Sequence, residues 1–334
     1  MKKLINRPGD EVREMLEGMT LAYPAYAKRM PDWNNIVRSD APLKGRVALV
    51  SGGGSGHEPA HAGYVGRGML TAACCGEVFT SPPVPQVLAA IKAVDGGAGT
   101  LLIIKNYNGD VMNFRTAAQM ARASGIKTDW VIVNDDVAIE KPEMRRGVAG
   151  TVCVHKCAGA KAEEGATLQE VKAVAQRVID NVRSMGCAIT PCTVPRVGKP
   201  SFELAEDEME LGTGIHGERG VKRVKMMTAD EAADVLTNAC ANDLKLASDD
   251  EVAVLVQGNG GTPMMEKLIF YRGVNRNLSS RGVRVGVSWV GEFMSSLDMA
   301  GASVTLLKLD EELKRLLTAP SETVALKQPG PILF

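Results

Sequence analysis

Apolar runs that stop abruptly at polar or glycine-rich turns recur along this chain. A helical pattern follows most of them, and this alternation constrains the fold more than any other feature. Arg46–Val50 reads as a strand running into Ser51-Gly-Gly-Gly-Ser-Gly-His57, and Thr100–Ile104 runs into Lys105-Asn-Tyr-Asn-Gly-Asp110. Trp130–Val133 reads as a third strand. Helices are predicted over Glu11–Tyr23, Pro85–Val94, Val111–Ala123, Thr151–Glu164 and Leu168–Ser184. Strand, helix, strand at this spacing implies crossover units and a mostly parallel sheet flanked by helices.

The composition changes near Met185. Cys187–Arg223 is rich in Gly, Pro and charge, with short β-like pieces. Beyond it, Thr228 and Glu231 have capping-box spacing and open a helix to Ala241. Glu251–Val256, Val283–Val290 and Ser303–Leu309 read as strands and Pro263–Leu278 as a helix. The 334 residues suggest about two domains. The predicted division is residues 1–185, an N-terminal α/β domain, and 186–334, a smaller α/β domain.

Lys plus Arg and Asp plus Glu each total 39. That balance argues against nucleic-acid or membrane-surface partners, which select a basic excess. No apolar stretch follows the N-terminal lysines and no run is long enough to span a bilayer, so the expected location is cytoplasmic. The seven cysteines are an odd number, unlike a secreted disulfide framework. Cys153, His155 and Cys157 invite a metal reading. On a helix, however, the two cysteines share a face and His155 points away, so no metal site is predicted.

Three segments are able to carry chemistry. The glycines before His57 let backbone N–H groups approach a ligand. A phosphate-binding P-loop would need Gly-Lys at 57 and 58, and a dinucleotide loop a glycine at 57; His57 and Glu58 defeat both. A glycine cradle with an imidazole at its rim remains, or a tight turn whose histidine caps the next helix. The second segment places Lys105, Asn106 and Asp110 at the carboxyl end of a strand, where open parallel sheets meet their ligands. Asp110 suits a general base or a helix cap. The third is Met209-Glu-Leu-Gly-Thr-Gly-Ile-His216-Gly-Glu218-Arg-Gly220, with a loop histidine between glycines, competent as a nucleophile when neutral, or simply a solvated loop residue.

Together with Gly76-Glu-Val-Phe-Thr-Ser-Pro82, Gly198-Lys-Pro-Ser-Phe202 and Ser296-Leu-Asp-Met-Ala-Gly301, these segments resemble, in order and nearly end to end, the substrate-binding subunit of dihydroxyacetone kinases. The resemblance implies two α/β domains, a homodimer, and capture of the dihydroxyacetone carbonyl as a hemiaminal on His216. It implies that Gly54, Ser55, Gly56, His57, Lys105 and Asp110 bind the substrate hydroxyls. His57 and Asp110 would assist loss of the hydroxyl proton. The turn Gln257-Gly-Asn-Gly-Gly-Thr-Pro263 departs from the family's Asn-rich pattern, which bears on partner docking or substrate range.

No helical nucleotide module is expected after the last helix. ADP or ATP with Mg²⁺ is therefore expected on a partner subunit, with phosphoenolpyruvate, through partner proteins, as the source of the phosphoryl group, or free ATP in some relatives. Two alternatives stand beside the kinase reading. One is a non-catalytic dihydroxyacetone-sensing co-activator of transcription, although His57, Asp110 and His216 are all present. The other is a kinase subunit for a related triose or tetrose.

Overall fold

The computed structural model describes residues 2–330. After α1 (Glu11–Ala22) come β1 (Ala27–Arg29), β2 (Asn35–Arg38), β3 (Ala48–Ser55), the two-residue β4 (Gly66–Arg67) and β5 (Ala72–Val78). Then follow α2 (Val84–Val94), β6 (Thr100–Lys105), α3 (Asn108–Ala123), β7 (Thr128–Val133), α4 (Thr151–Glu163) and α5 (Leu168–Asn181). The first sheet has the order β1-β2-β5-β3-β6-β7, and β5, β3, β6 and β7 are parallel. β1 and β2 add antiparallel at one edge.

The second sheet comprises β8 (Val182–Ala188), β9 (Glu208–Leu211), β10 (Lys222–Lys225), β11 (Glu251–Gln257), β12 (Arg284–Gly291) and β13 (Gly301–Lys308). Its order is β10-β9-β8-β13-β11-β12, and only β11 and β12 run parallel. α6 (Ala229–Asp243) and α7 (Met264–Ser280) interrupt these strands, and α8 (Glu311–Thr318) follows them. α6 opens on the capping box expected at Thr228 and Glu231. β14 (Ser321–Thr323) and β15 (Lys327–Gln328) make a small sheet with β4.

α2 and α3 cover one face of the first sheet and α6 and α7 one face of the second. Between the sheets lies a shared layer in which α4, α5 and α8 pack against residues of both. α4 is consequently buried all round, with Val152, Val154, Cys153 and Cys157 all inside. That is why it lacks the one-sided polarity of a surface helix. Even its Lys156 is enclosed, donating to the Leu316 carbonyl at 2.9 Å, and burial lowers its pKa to about 8. Burying an apolar side chain such as Val152 stabilises the fold by about 1.5–3 kcal/mol.

Four sequence expectations need correction. β3 does not end at Val50: the glycines continue the strand, with Gly52, Gly53 and Gly54 in register with Cys74, Cys75 and Gly76 of β5. β5 itself, rich in Ala, Cys and Gly, is absent from the expected strands, because small residues give neither periodicity nor β-branched enrichment. α3 begins at Asn108, which puts Asp110 inside its first turn rather than at its cap. α5 ends at Asn181, and Val182–Ala188 is a strand of the second sheet, so the expected division at 185/186 falls within β8.

Candidate active site

β3 and β6 lie side by side with Ser51 level with Ile103, so that β3 runs two residues past the end of β6, and the site is built on their carboxyl ends. Lys105, the last residue of β6, is fully buried, with its Nζ 3.9 Å from Asp110 Oδ2. Burial lowers the Lys105 pKa; the nearby Asp110 and Glu218 carboxylates oppose that shift. Asp110 Oδ1 accepts from Ser81 Oγ at 2.5 Å. Gly53 is needed beside this pair. A Cβ there would lie 2.8 Å from Lys105 Nζ and 3.1 Å from Asp110 Oδ2, and its φ of 148° disfavours side chains.

His57 follows in the turn after β3 and is held by the second half of the chain. Its Nδ1 donates to the Ser295 carbonyl at 2.9 Å, while Ser295 N and Leu297 N donate to the carbonyls of His57 and Gly56. The segment carrying Ser295 is braced in turn by Gln257. The Gln257 Oε1 accepts from Met294 N and its Nε2 donates to Met294 O. The turn that departs from the family pattern thus begins with a scaffold residue of the site. With Nδ1 engaged as donor, Nε2 carries the lone pair, and it has no hydrogen-bond partner among the described residues. Burial, reinforced by the Lys105 charge, pushes the His57 pKa well below the usual histidine value, so the ring is neutral.

His216 comes from the loop between β9 and β10. Its Nδ1 lies 3.3 Å from Glu218 Oε1, and its backbone N–H donates to Glu218 Oε2 at 2.7 Å. The Glu218 pKa is held down to about 2 by the His216 and Arg146 contacts, against the opposing effect of burial. An ionised carboxylate only accepts, so Nδ1 bears the hydrogen and Nε2 is left with its lone pair. Burial also lowers the His216 pKa. Arg146 is anchored behind Glu218: it pairs with Asp136 at 2.6 Å and donates to the Gly212 carbonyl at 2.8 Å. A Cβ at Gly214 would strike both Glu218 Oε2 and Arg146 Nη1, so this close approach requires glycine.

The two histidine rings meet edge to face with centroids 4.7 Å apart. Phe79 stacks on His57 at 5.2 Å and meets the His216 edge at 5.3 Å, while Tyr107 meets His216 at 4.4 Å. Aromatic walls of this kind exclude water and hold both imidazoles in place. The structure therefore brings together His57, Lys105, Asp110 and His216, with Gly54, Ser55 and Gly56 alongside in β3 and its turn. Ser55 Oγ is engaged by the Gly76 carbonyl at 2.7 Å. Asn106 is not part of the constellation, because its amide donates to the carbonyls of Glu143 and Arg145.

Sequence reasoning missed Glu218, Tyr107, Phe79, Ser81 and the Arg146–Asp136 pair. Glu218 alone left a usable signal, a carboxylate two residues from a loop histidine. The remaining histidines, His61 and His155, bond each other at 3.0 Å within the core. Among the described residues, no three of His, Cys, Asp and Glu are placed to hold a metal ion. Nor is any described helix long and apolar enough to cross a membrane.

Two α/β layers clasping a pair of neutral imidazoles over a glycine-lined strand end define a site suited to a small carbonyl compound. The chain belongs to the Dak1 domain family, whose model matches residues 17–325. It is 51% identical over 329 residues to the dihydroxyacetone-binding subunit DhaK of PTS-dependent dihydroxyacetone kinase 1 from Listeria innocua, covering 97% of this chain and 100% of that one. Among solved structures it resembles a dihydroxyacetone kinase operon co-activator, Dha-DhaQ, with a TM-score of 0.90 and 36% identity over 97% of this chain and 99% of that one. It also resembles the dihydroxyacetone kinase of C. freundii, with a TM-score of 0.89 and 36% identity, covering all of this chain and 62% of that one.

Proposed function

We propose that this chain is the substrate-binding subunit of a dihydroxyacetone kinase, which holds its ketose covalently on His216 while a partner subunit delivers the phosphoryl group. The observation that carries the reading is the pairing of two neutral imidazoles, each with Nδ1 engaged and Nε2 free, at one strand-end site.

In the capture step, the His216 Nε2 lone pair attacks the carbonyl carbon and forms a C–N bond. The C=O π pair moves to oxygen, which takes up a proton. The ring gives up its Nδ1 proton in balance, and Glu218, bonded to that nitrogen, stabilises the positive charge carried in between. The adduct fixes the terminal hydroxyl in one orientation. That hydroxyl then attacks phosphorus and loses its proton to His57 Nε2 or to Asp110, the two buried bases of the site. Lys105 and the turn Gly54-Ser55-Gly56 bind the hydroxyls. The phosphoryl group would come from the partner subunit, where a nucleotide would be held with Mg²⁺ and the metal would neutralise phosphate charge. A phosphoenolpyruvate-fed donor is supported by the name of the Listeria innocua relative.

The reading carries with it a cytoplasmic location and a homodimer. The co-activator reading has support in the likeness to Dha-DhaQ. It shares the capture half of the chemistry, whereas His57 and Asp110, placed as bases, favour the kinase. A reconstitution assay separates the two. Purified chain with dihydroxyacetone, ATP and Mg²⁺ should make no dihydroxyacetone phosphate, and adding a cognate nucleotide-bearing subunit with its phosphoryl source should start turnover. No product with any such partner, or turnover by the chain alone, would contradict the kinase-subunit reading.

A further inference from the structure

Three segments that stand out in the sequence take no step in the reaction above: Gly76–Pro82, Gly198–Phe202 and Ser296–Gly301. In the fold they meet. Phe202 and Met299 are buried in a small cluster with Ala188 and Cys192, and Phe79 and Leu297 pack against it. Phe79 also stacks on His57, 17° from parallel, and stands at right angles to His216. Two residues further on, Ser81 bonds Asp110. One turn therefore touches His57, Asp110 and His216.

The backbone around this turn is arranged to seat the Phe79 ring. Phe79 has a φ of 55°, a left-handed conformation that bulky residues rarely adopt. Such conformations persist where the surroundings over-determine them, and they gather at functional sites. The Phe79 N–H donates to the Ser55 carbonyl at 2.9 Å. Gly54 and Gly56 clear the space: a Cβ at Gly54 would lie 2.7 Å from Phe79 Cα, and one at Gly56 2.8 Å from Phe79 Cε1 and 3.2 Å from Leu297 Cδ2. From the second half of the chain, Leu297 N donates to the Gly56 carbonyl at 2.8 Å and Arg196 pairs with Glu77 at 2.6 Å. A ring packed this closely cannot swing aside.

We infer that Phe79 sets the length of ketose the site accepts and closes it to a fourth carbon. The inference rests on the kinase-subunit reading and narrows its substrate to a three-carbon ketose. Capture on His216 fixes the carbonyl carbon, so the ketone cannot slide to make room for a longer arm. One arm ends among Lys105, Gly53 and Asp110, where Lys105 is fully buried and Gly53 admits no Cβ. The other lies beside His57 and ends against the Phe79 ring. A fourth carbon on either arm meets a wall. The wall at Phe79 is apolar and half-buried, so trimming it opens space without leaving a buried charge unpaired.

Calorimetric titration of the full chain with dihydroxyacetone and with L-erythrulose, a four-carbon ketose, tests this. One methylene too many in a pocket is rejected by about 10–200-fold, and the parent should prefer dihydroxyacetone by that order. Phe79→Ala should still bind dihydroxyacetone, less tightly because His57 loses its stacking partner, and its preference should fall by about tenfold or more. Phe202→Ala removes the backing of the ring from outside the site and should lower the preference partway. A parent that binds both ketoses equally, or an unchanged preference in Phe79→Ala, would overturn the inference and spare the substrate-binding reading. A parent that binds neither would overturn both. If Phe79→Ala does not fold, the same ratio in Phe79→Leu decides.

Discussion

His57 and His216 stand edge to face with ring centroids 4.7 Å apart, although one follows β3 of the first sheet and the other lies in a loop of the second. Each ring has its Nδ1 engaged, by the Ser295 carbonyl and by Glu218 respectively. Each therefore offers a single free nitrogen, Nε2. The two rings divide the labour of the proposed reaction: His216 takes the carbonyl carbon, and His57 takes a proton from the hydroxyl that the adduct has fixed.

Glu218 is what makes the His216 tautomer single-valued. Glu218→Gln preserves size but removes the charge that balances the developing imidazolium. A hydrogen bond to a charged group is worth about 1.5–3 kcal/mol, roughly a 10–100-fold change. Calorimetric titration with dihydroxyacetone should show binding weakened by about that factor, with far-ultraviolet circular dichroism unchanged. Binding within about twofold of the parent would remove Glu218 from the mechanism.

His57→Ala and Asp110→Ala probe the proton transfer. A positioned base contributes about 10²–10⁴-fold. Each variant should lower turnover with the partner by that order and leave ketone capture by His216 in place. Near-parental turnover in both variants would exclude the pair as the bases.

Gly53→Ala inserts a methyl group 2.8 Å from Lys105 Nζ at a backbone angle that side chains avoid. We expect both capture and thermal stability to fall, because Lys105 is enclosed and has nowhere to retreat. Gly125→Ala is a useful control. It shares the left-handed backbone, with φ 86°, but has nothing within 4 Å of its Cβ, so it should affect stability and not capture. Unchanged capture in Gly53→Ala would show that the cradle tolerates displacement of Lys105.

Much of this was legible in the sequence because glycine and charge stand out against apolar strands. The turns at His57 and Asp110 and the loop at His216 were visible as polar interruptions, and Thr228 with Glu231 announced the start of α6. What was not legible depends on tertiary pairing. The glycines of β3 are strand because β5 pairs with them, and β5 carries no periodic signal of its own. Asp110 lies within α3 because that helix begins one turn earlier than its apolar pattern. Arg146 and Asp136 reach the site only because the β7–α4 connection folds over the His216 loop. The buried pair His61 and His155 bridges the turn after β3 and α4, a contact that no local spacing encodes.

Four histidines are held neutral by burial, and this fixes the sign of the acid response. His57, His61 and His216 have lowered pKa values, and that of His155 falls to about 3. Below the ordinary value of 6.5 the unfolded chain takes up protons that the fold refuses, so stability falls as pH falls. Asp136, raised to about 6 mainly by burial, opposes this between about 6 and 3.8, as do Asp135 and Glu58, which burial also raises; the four histidines are joined on the other side by carboxylates held down by their partners, Glu218 and Asp243 among them. The melting temperature should decline as the pH falls below 6.5, and His155→Gln should shallow that slope. A melting temperature constant down to pH 5 would contradict the neutral-histidine assignment.

The central claim is that His216 is the nucleophile, and carbon NMR with dihydroxyacetone labelled at its carbonyl carbon tests it most directly. On the parent protein the ketone resonance should be replaced by that of a saturated carbon bearing oxygen and nitrogen, at one equivalent per chain. In His216→Ala the signal should remain that of free ketone, and the preference for dihydroxyacetone over glycerol should be lost. A saturated-carbon adduct that persists in His216→Ala, or a bound ketone signal unaltered in the parent, would contradict the assignment of His216 as nucleophile.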